Sequence, residues 1–329
     1  MLVRLQLAYD GTQFHGWQRQ FHQATHPTPP PLAESPTKPA NPPSPGPRTL
    51  PPHHLATPPD RRHQTELRTV QAVAARALSD LYHAPITLQG ASRTDAGVHA
   101  ASQTATANIP ENAHGPPVER LADALNSRLP PDTLALHAET APPGFDPIAH
   151  CLEKAYRYRF ATGRTPPLWD RNIVYHTHHH LDPEPMRIAA AKLLGTHDFA
   201  AFAQINHGRE STVRTITNAA VQTHHSHPHL VPPNRTDILV AGNGFLYNMV
   251  RIIAGTLHDI GRAKAAPSSI AEALQTADRR AAGPTMGPSG LTLLWQRYPH
   301  PVNTVGDTNA ISPNPTPTTQ QPNPRQPNE

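Results

Sequence analysis

The chain has a single cysteine, Cys151, among 329 residues. That excludes an intramolecular disulfide and a thiolate metal cluster, and it suits a reducing compartment. Aromatic residues make up 5% and apolar residues 36%, the latter below the globular average. No apolar run approaches the roughly 20 residues of a membrane span. Met1-Leu2-Val3-Arg4-Leu5 lacks the long apolar core of a signal peptide. A soluble, cytoplasmic protein is expected. The charge imbalance is also small, a formal +4, which permits an anionic partner without demanding one.

Proline is abundant instead. Of 41 prolines, 14 fall in residues 21–60 and 7 in 301–329. Neither stretch has apolar periodicity, so both are expected to be disordered or polyproline-like. About 260 residues remain, room for two average domains.

Within that remainder, residues 2–9 alternate: Val3, Leu5, Leu7 and Tyr9 on one face, Arg4, Gln6 and Ala8 on the other. That predicts a half-buried strand. Helical spacing covers 69–82, with Thr69 as N-cap. Strands are expected at 86–91, 101–109, 133–138, 152–161, 213–223 and 236–242, with Leu291, Leu293 and Trp295 in a closing strand. Val118, Leu121, Ala122 and Leu125 mark a second helix. Others are expected at 183–194, capped by Gly195, at 246–261, and at 270–281 behind a Ser269–Glu272 capping box. Alternating rather than continuously apolar strands predict a mainly antiparallel sheet in an α+β fold.

The segment Ala91-Ser92-Arg93-Thr94-Asp95-Ala96-Gly97-Val98-His99-Ala100 reads as a tight loop between two strands. A carboxylate held beside a guanidinium stays ionised. Such an Asp can serve as a nucleophile, or the Arg–Asp pair can simply brace a turn.

The wider pattern is more specific. Arg93-Thr94-Asp95-Ala96-Gly97-Val98-His99 resembles the active-site loop of the tRNA pseudouridine synthase A family. Tyr9-Asp10-Gly11 with Gly16-Trp17-Gln18-Arg19-Gln20 resembles its first strand and following loop. Val70-Gln71, Lys154-Ala155-Tyr156-Arg157-Tyr158, Gly195-Thr196-His197-Asp198-Phe199 and Gly244-Phe245-Leu246-Tyr247-Asn248-Met249-Val250-Arg251 match further blocks in the family's order. The resemblance covers roughly 1–20 and 67–299.

The resemblance implies two RNA-recognition-like α/β sandwich halves sharing one sheet, with the active site in the cleft between them. The halves would be a catalytic one at 1–142, interrupted by the insertion 21–66, and one at 143–299, followed by the tail 300–329. It implies isomerisation of uridine at tRNA positions 38, 39 and 40 by a homodimer, without cofactor or metal. Asp95 would be the nucleophile, attacking either base or sugar. Arg93 would take the flipped nucleotide's place in the RNA stack, and Tyr156 would stack on the uracil and reach its C5 proton. Arg251 would pair with Asp95, and Leu246 would wall the pocket.

Arg4, Arg19, Lys154, Arg157, Arg159, Arg209 and Arg214 are candidate phosphate contacts. His176, His178 and His180, and separately His224, His225, His227 and His229, have spacings a metal could use. No carboxylate cluster accompanies them, and 23 histidines are spread through the chain. The insertion either lies beside bound tRNA or is a neutral loop, which a fold tolerates at small entropic cost. A non-catalytic RNA-binding or chaperone protein on the same scaffold, and a synthase for another RNA, are the alternative functions. The intact set Asp95, Tyr156 and Arg251 favours an enzyme over a binding protein, and the compact length without a targeting segment favours tRNA over another RNA.

Overall fold

The structure, a computed structural model, describes residues 1–23, 64–204, 210–225 and 234–299. The body of the Pro-rich insertion, Arg209, His227, His229 and the tail 300–329 lie outside the described residues. In chain order the strands are β1 (Leu2–Tyr9), β2 (Phe21–Gln23), β3 (Gln64–Glu66), β4 (Leu88–Gly90), β5 (His99–Asn108), β6 (Thr133–Thr140), β7 (Glu153–Thr162), β8 (Tyr175–Thr177), β9 (Gly195–Asp198), β10 (Val213–His225), β11 (Asn234–Gly242) and β12 (Leu291–Arg297). The helices are α1 (Val70–Tyr82), α2 (Leu121–Asn126), α3 (Pro183–Ala190), α4 (Met249–Gly261) and α5 (Ser269–Thr276).

Ten strands form one sheet in the order β6-β1-β5-β12-β7-β11-β10-β9, with β4 paired to β5 and β8 to β7. All pairings are antiparallel except β12 with β5 and β7 with β8. This is the mainly antiparallel α+β architecture expected from the alternating strands. The last strand in sequence, β12, lies between β5 and β7. Leu293 pairs with Ala100 on one side and with Tyr156 on the other. The strand that follows the Asp95 loop and the strand carrying Tyr156 are therefore two strand intervals apart, about 9.5 Å.

By its contacts, 1–18 and the described residues from Arg68 onward form one unit, and 19–67 another. In the second unit, β2 and β3 pair from Phe21↔Glu66 to Gln23↔Gln64, and Arg19 is ion-paired to Glu66. The first and last residues of the insertion are thus an ordered ribbon, not the disordered segment expected over all of 21–66.

Helix α1 starts where expected, with the Thr69 hydroxyl accepting from Ala72 N. Helix α4 is buried on all sides: twelve of its thirteen residues are buried, and Arg251 is the exception. A helix buried all round belongs in a core, so its one partly open position is set by what it faces.

Several expectations change. Strand β1 is not half-buried: Arg4 and Gln6 are each 2% exposed, because β6 and β5 flank the strand and the Phe145 and Tyr298 rings pack on Arg4. Helix α5 ends at Thr276, followed by Ala277 in the left-handed region (φ 54°). Its N-cap is Ser268 with no side-chain hydrogen bond, so the Ser269–Glu272 capping box does not form. Helix α4 begins at Met249, three residues later than expected, because Asn248 is left-handed (φ 60°). Strand β8 ends at Thr177, leaving His178 and His180 outside it.

Candidate active site

The Asp95 loop is held from behind by the segment after β1. Trp17 N donates to Thr94 O (3.0 Å), and Gly97 N donates to Phe14 O (3.2 Å). The Tyr9 and Thr94 hydroxyls are bonded at 2.8 Å. Gly16 has φ +90°, and a methyl there would meet Thr94 O at 2.6 Å. The backbones approach this closely only without a side chain, which is why the glycine of the first block and the Asp loop belong together. That segment in turn is tied to α1, through Val70 N to Gly16 O (3.2 Å) and Gln71 N to Trp17 O (3.0 Å).

Asp95 faces α4. Arg251 Nη1 donates to Asp95 Oδ2 at 3.1 Å and to Asn248 Oδ1 at 2.7 Å, and Arg251 Nε donates to Met286 O at 2.7 Å. Three anchors fix the guanidinium in one orientation. Burial raises the Asp95 carboxyl above its ordinary value, and Arg251 pulls it back down. The guanidinium acting on Asp95 is thus that of Arg251 on α4 rather than the loop's own Arg93, and desolvation outweighs it. Arg93 itself is exposed.

Tyr156 is buried on β7, its ring 5.0 Å from that of Phe245 and nearly perpendicular to it at 82°. Burial pushes its hydroxyl up to about 12, with a hydrogen bond to Ser92 acting the other way. Leu246 is buried in the core and lies on the same cavity wall. A cavity of about 800 Å³ is lined by Arg93, Asp95, Tyr156, Leu246 and Arg251, together with Trp17, Ser92, Lys154, Phe245 and Asn248 among others. All five residues picked from the sequence thus border one space, large enough for a nucleotide turned out of its stack.

A family model described as tRNA pseudouridine synthase matches residues 189–299. The chain is 38% identical over 238 residues to tRNA pseudouridine synthase A of Bacillus subtilis (strain 168), covering 70% of this chain and 90% of that one. It is 33% identical over 300 residues to the tRNA pseudouridine synthase A of Acetivibrio thermocellus, covering 90% and 99%. With tRNA pseudouridine synthase A 2 of Clostridium perfringens (strain 13 / Type A) it shares 31% over 291 residues, covering 88% and 97%. The chain belongs to the tRNA pseudouridine synthase A family.

The structure also shows a polar group that the motifs did not single out. Ser92, Gln103 and Gln296 form a buried polar group behind the Asp95 loop, with Gln103 Nε2 donating to Ser92 O and Gln296 Nε2 to Gln103 Oε1 at 2.7 Å. Gln296 comes from β12, almost 200 residues away, so no local pattern points to it. Its one available signal was an amide following the apolar Leu293, Leu294 and Trp295 of the closing strand.

The phosphate candidates disperse. Arg4 is a correction: it is buried and paired to Glu139 at 2.6 Å, out of reach of any surface ligand. Arg159 is clamped by Asp237 at 2.7 and 2.6 Å. Arg157 is half-buried beside it. Arg214 is bonded to the carbonyls of Ser211 and Val213. Among the described members of the set, Lys154 alone lines the cavity, with Nζ donating to Ala91 O (3.2 Å) and Ser92 Oγ (3.0 Å). Among the described residues no three of His, Cys, Asp and Glu are grouped to hold a metal, and no helix is long and apolar enough to cross a membrane.

Proposed function

We propose that this synthase isomerises uridine to pseudouridine at positions 38, 39 and 40 of the tRNA anticodon stem-loop, with Asp95 as nucleophile. The observation that carries the reading is the Asp95–Arg251 contact, 3.1 Å, opposite Tyr156 in one cavity. The reaction breaks the N1–C1′ bond, forms a C5–C1′ bond, removes the C5 proton and leaves a proton on N1. A carboxylate that attacks and departs holds the intermediate while the base turns over. Arg251 keeps that carboxylate charged and aimed against the cost of burial. Arg93, exposed at the cavity rim, fills the space the flipped nucleotide vacates. Tyr156 lies under the base, and Leu246 excludes water beside it. The protein acts in the cytoplasm as a homodimer, one tRNA spanning both subunits.

The test is tritium release from tRNA labelled at C5 of uridine. The wild type should release tritium and Asp95→Ala should not, while still binding tRNA. Release from both proteins would mean another nucleophile. Release from neither, with binding intact, would point to an RNA-binding protein on a synthase scaffold. Sedimentation with and without tRNA measures the dimer.

A further inference from the structure

His99, the first residue of β5, is only 3% exposed, and its Nδ1 meets two groups of opposite demand. Gly11 N donates to Nδ1 at 3.0 Å, and Asp10 Oδ1 lies 3.2 Å from the same atom. One nitrogen cannot serve both. The neutral imidazole with its proton on Nε2 accepts from Gly11, and the imidazolium can only donate, to Asp10. Asp10 stays in reach either way, because its carboxylate accepts from Thr12 N at 3.0 Å. The choice bears on the site. Gly11 opens a single turn, Gly11–Gln13, in which Gly11 O accepts from Phe14 N (2.9 Å), and Phe14 O accepts from Gly97 N (3.2 Å). Gly97 and Val98 belong to the Asp95 loop, and Val98 N donates back to Asp95 O at 3.1 Å. A methyl on Gly11 would fall on the Val98 carbonyl, so turn and loop are in direct backbone contact. His99 therefore pins the turn on which the Asp95 loop rests.

We propose that His99 is a positioning residue for Asp95: as a neutral acceptor it clamps the Gly11 turn against the Asp95 loop, and protonation of Nδ1 hands the ring to Asp10 and frees that turn. The inference rests on the reading of Asp95 as the nucleophile. The proton comes from solvent, and one hydrogen bond is exchanged for another, Gly11 N–H to Nδ1 for Nδ1–H to Asp10 Oδ1. Asp10, from the end of β1, is the group facing the ring that favours the imidazolium. From β12 comes Thr292, opposite His99 in register, with Arg157 of β7 beyond it. The backbones of Asn172 and Ser289 are further polar neighbours. Asp170 and Arg171, the charged residues beside Asn172, are engaged with Arg235 and with Leu168 O. Burial favours the neutral ring and Asp10 works against it, burial being the larger. The clamped state is thus the one present near neutral pH, and acid releases it. This loss is separate from protonation of Asp95 itself.

The experiment measures tritium release from C5-labelled tRNA between pH 5 and pH 8 by the wild type, His99→Asn, His99→Leu and Asp10→Asn, with melting curves and imidazole proton spectra for each. Asparagine puts an amide oxygen near the place of Nδ1 and does not titrate. His99→Asn should keep most of the rate at pH 8 and lose less of it on acidification than the wild type. Asp10→Asn removes the charge that favours the imidazolium, so its activity should persist to lower pH while the rate at pH 8 stays unchanged. His99→Leu offers Gly11 N no acceptor, and should lower kcat by about 10- to 100-fold at every pH with KM for tRNA nearly unchanged. In the wild type, an imidazole signal absent from His99→Asn should titrate below pH 6.5 and move to lower pH in Asp10→Asn. Acid limbs that superpose on the wild type in both His99→Asn and Asp10→Asn would overturn the proposal, as would a His99→Leu that melts earlier but keeps its kcat. If His99→Leu does not fold, Asp10→Asn, altered at a partly exposed residue, carries the test. No release by the wild type, or release by Asp95→Ala, rejects the reading of the site on which the inference rests; superposed acid limbs with Asp95→Ala inactive reject the inference alone.

Discussion

Asp95 is pulled in two directions, up by burial and down by Arg251. Catalysis needs the carboxylate, so the rate falls as pH drops through its pKa. Removing the guanidinium leaves burial unopposed. Arg251→Met should therefore move the acid limb of the kcat/KM profile to higher pH, in addition to lowering kcat. Arg251→Lys should behave more like Met than like Arg, because one ammonium cannot serve Asp95, Asn248 and Met286 O from one fixed fork. A profile identical to wild type in either variant would detach Arg251 from Asp95. At this scale the sequence was most legible where a residue breaks its local pattern. Asp95 stood in a turn motif, and Arg251 entered through the resemblance of the block that ends on it. Ser92 and Gln103 broke no pattern, since a polar residue in a strand or loop is ordinary until its buried partners are known.

Two elements carry the site, the Gly16 turn and helix α4. Gly16→Ala puts a methyl at 2.6 Å from Thr94 O at a φ of +90°. It should cost about 1–3 kcal/mol of stability, lowering the melting temperature. It should also lower kcat more than it raises KM, because the displaced loop carries Asp95. Ile253 is fully buried in α4, and Ile253→Ala should cost about 2–5 kcal/mol through the cavity it leaves. A loss under about 1 kcal/mol in chemical denaturation would contradict that packing.

His258 in α4 and His99 at the start of β5 are both buried, and burial lowers their pKa below 6.5. The unfolded chain then binds more protons than the folded one as pH falls below 6.5, so stability present at neutral pH is lost on acidification. The melting temperature should drop from pH 7 to pH 5 more steeply in the wild type than in His258→Leu. Parallel curves would mean His258 is not the group that titrates. The periodicity of α4 predicted a helix but not its start, because the left-handed Asn248 is bonded to Arg251 one turn on and to Gln204, 44 residues back in the chain, a contact no local pattern shows.

For the whole molecule, the insertion offers the clearest test. Gln23 and Gln64 are paired neighbours in the β2–β3 ribbon. Replacing 24–63 by Asn-Gly would close it with a two-residue hairpin turn. Among the described residues, none of the cavity lining comes from 19–67. The shortened protein should fold and release tritium at the wild-type rate; a tenfold fall in kcat/KM for tRNA would give the insertion a part in substrate approach. The sequence by itself determined the fold class and most strand and helix positions, because alternation and helical period are local and survive in one dimension, and its motifs pointed, through their resemblance to the family, to five residues that share the cavity. Only the tertiary structure decided that β12 lies between β5 and β7, that Arg4 is buried, and that Gln296 reaches the Ser92 hydroxyl. Those depend on strand order and register, which are settled by contacts between residues far apart in the chain, where one sequence carries no distance information.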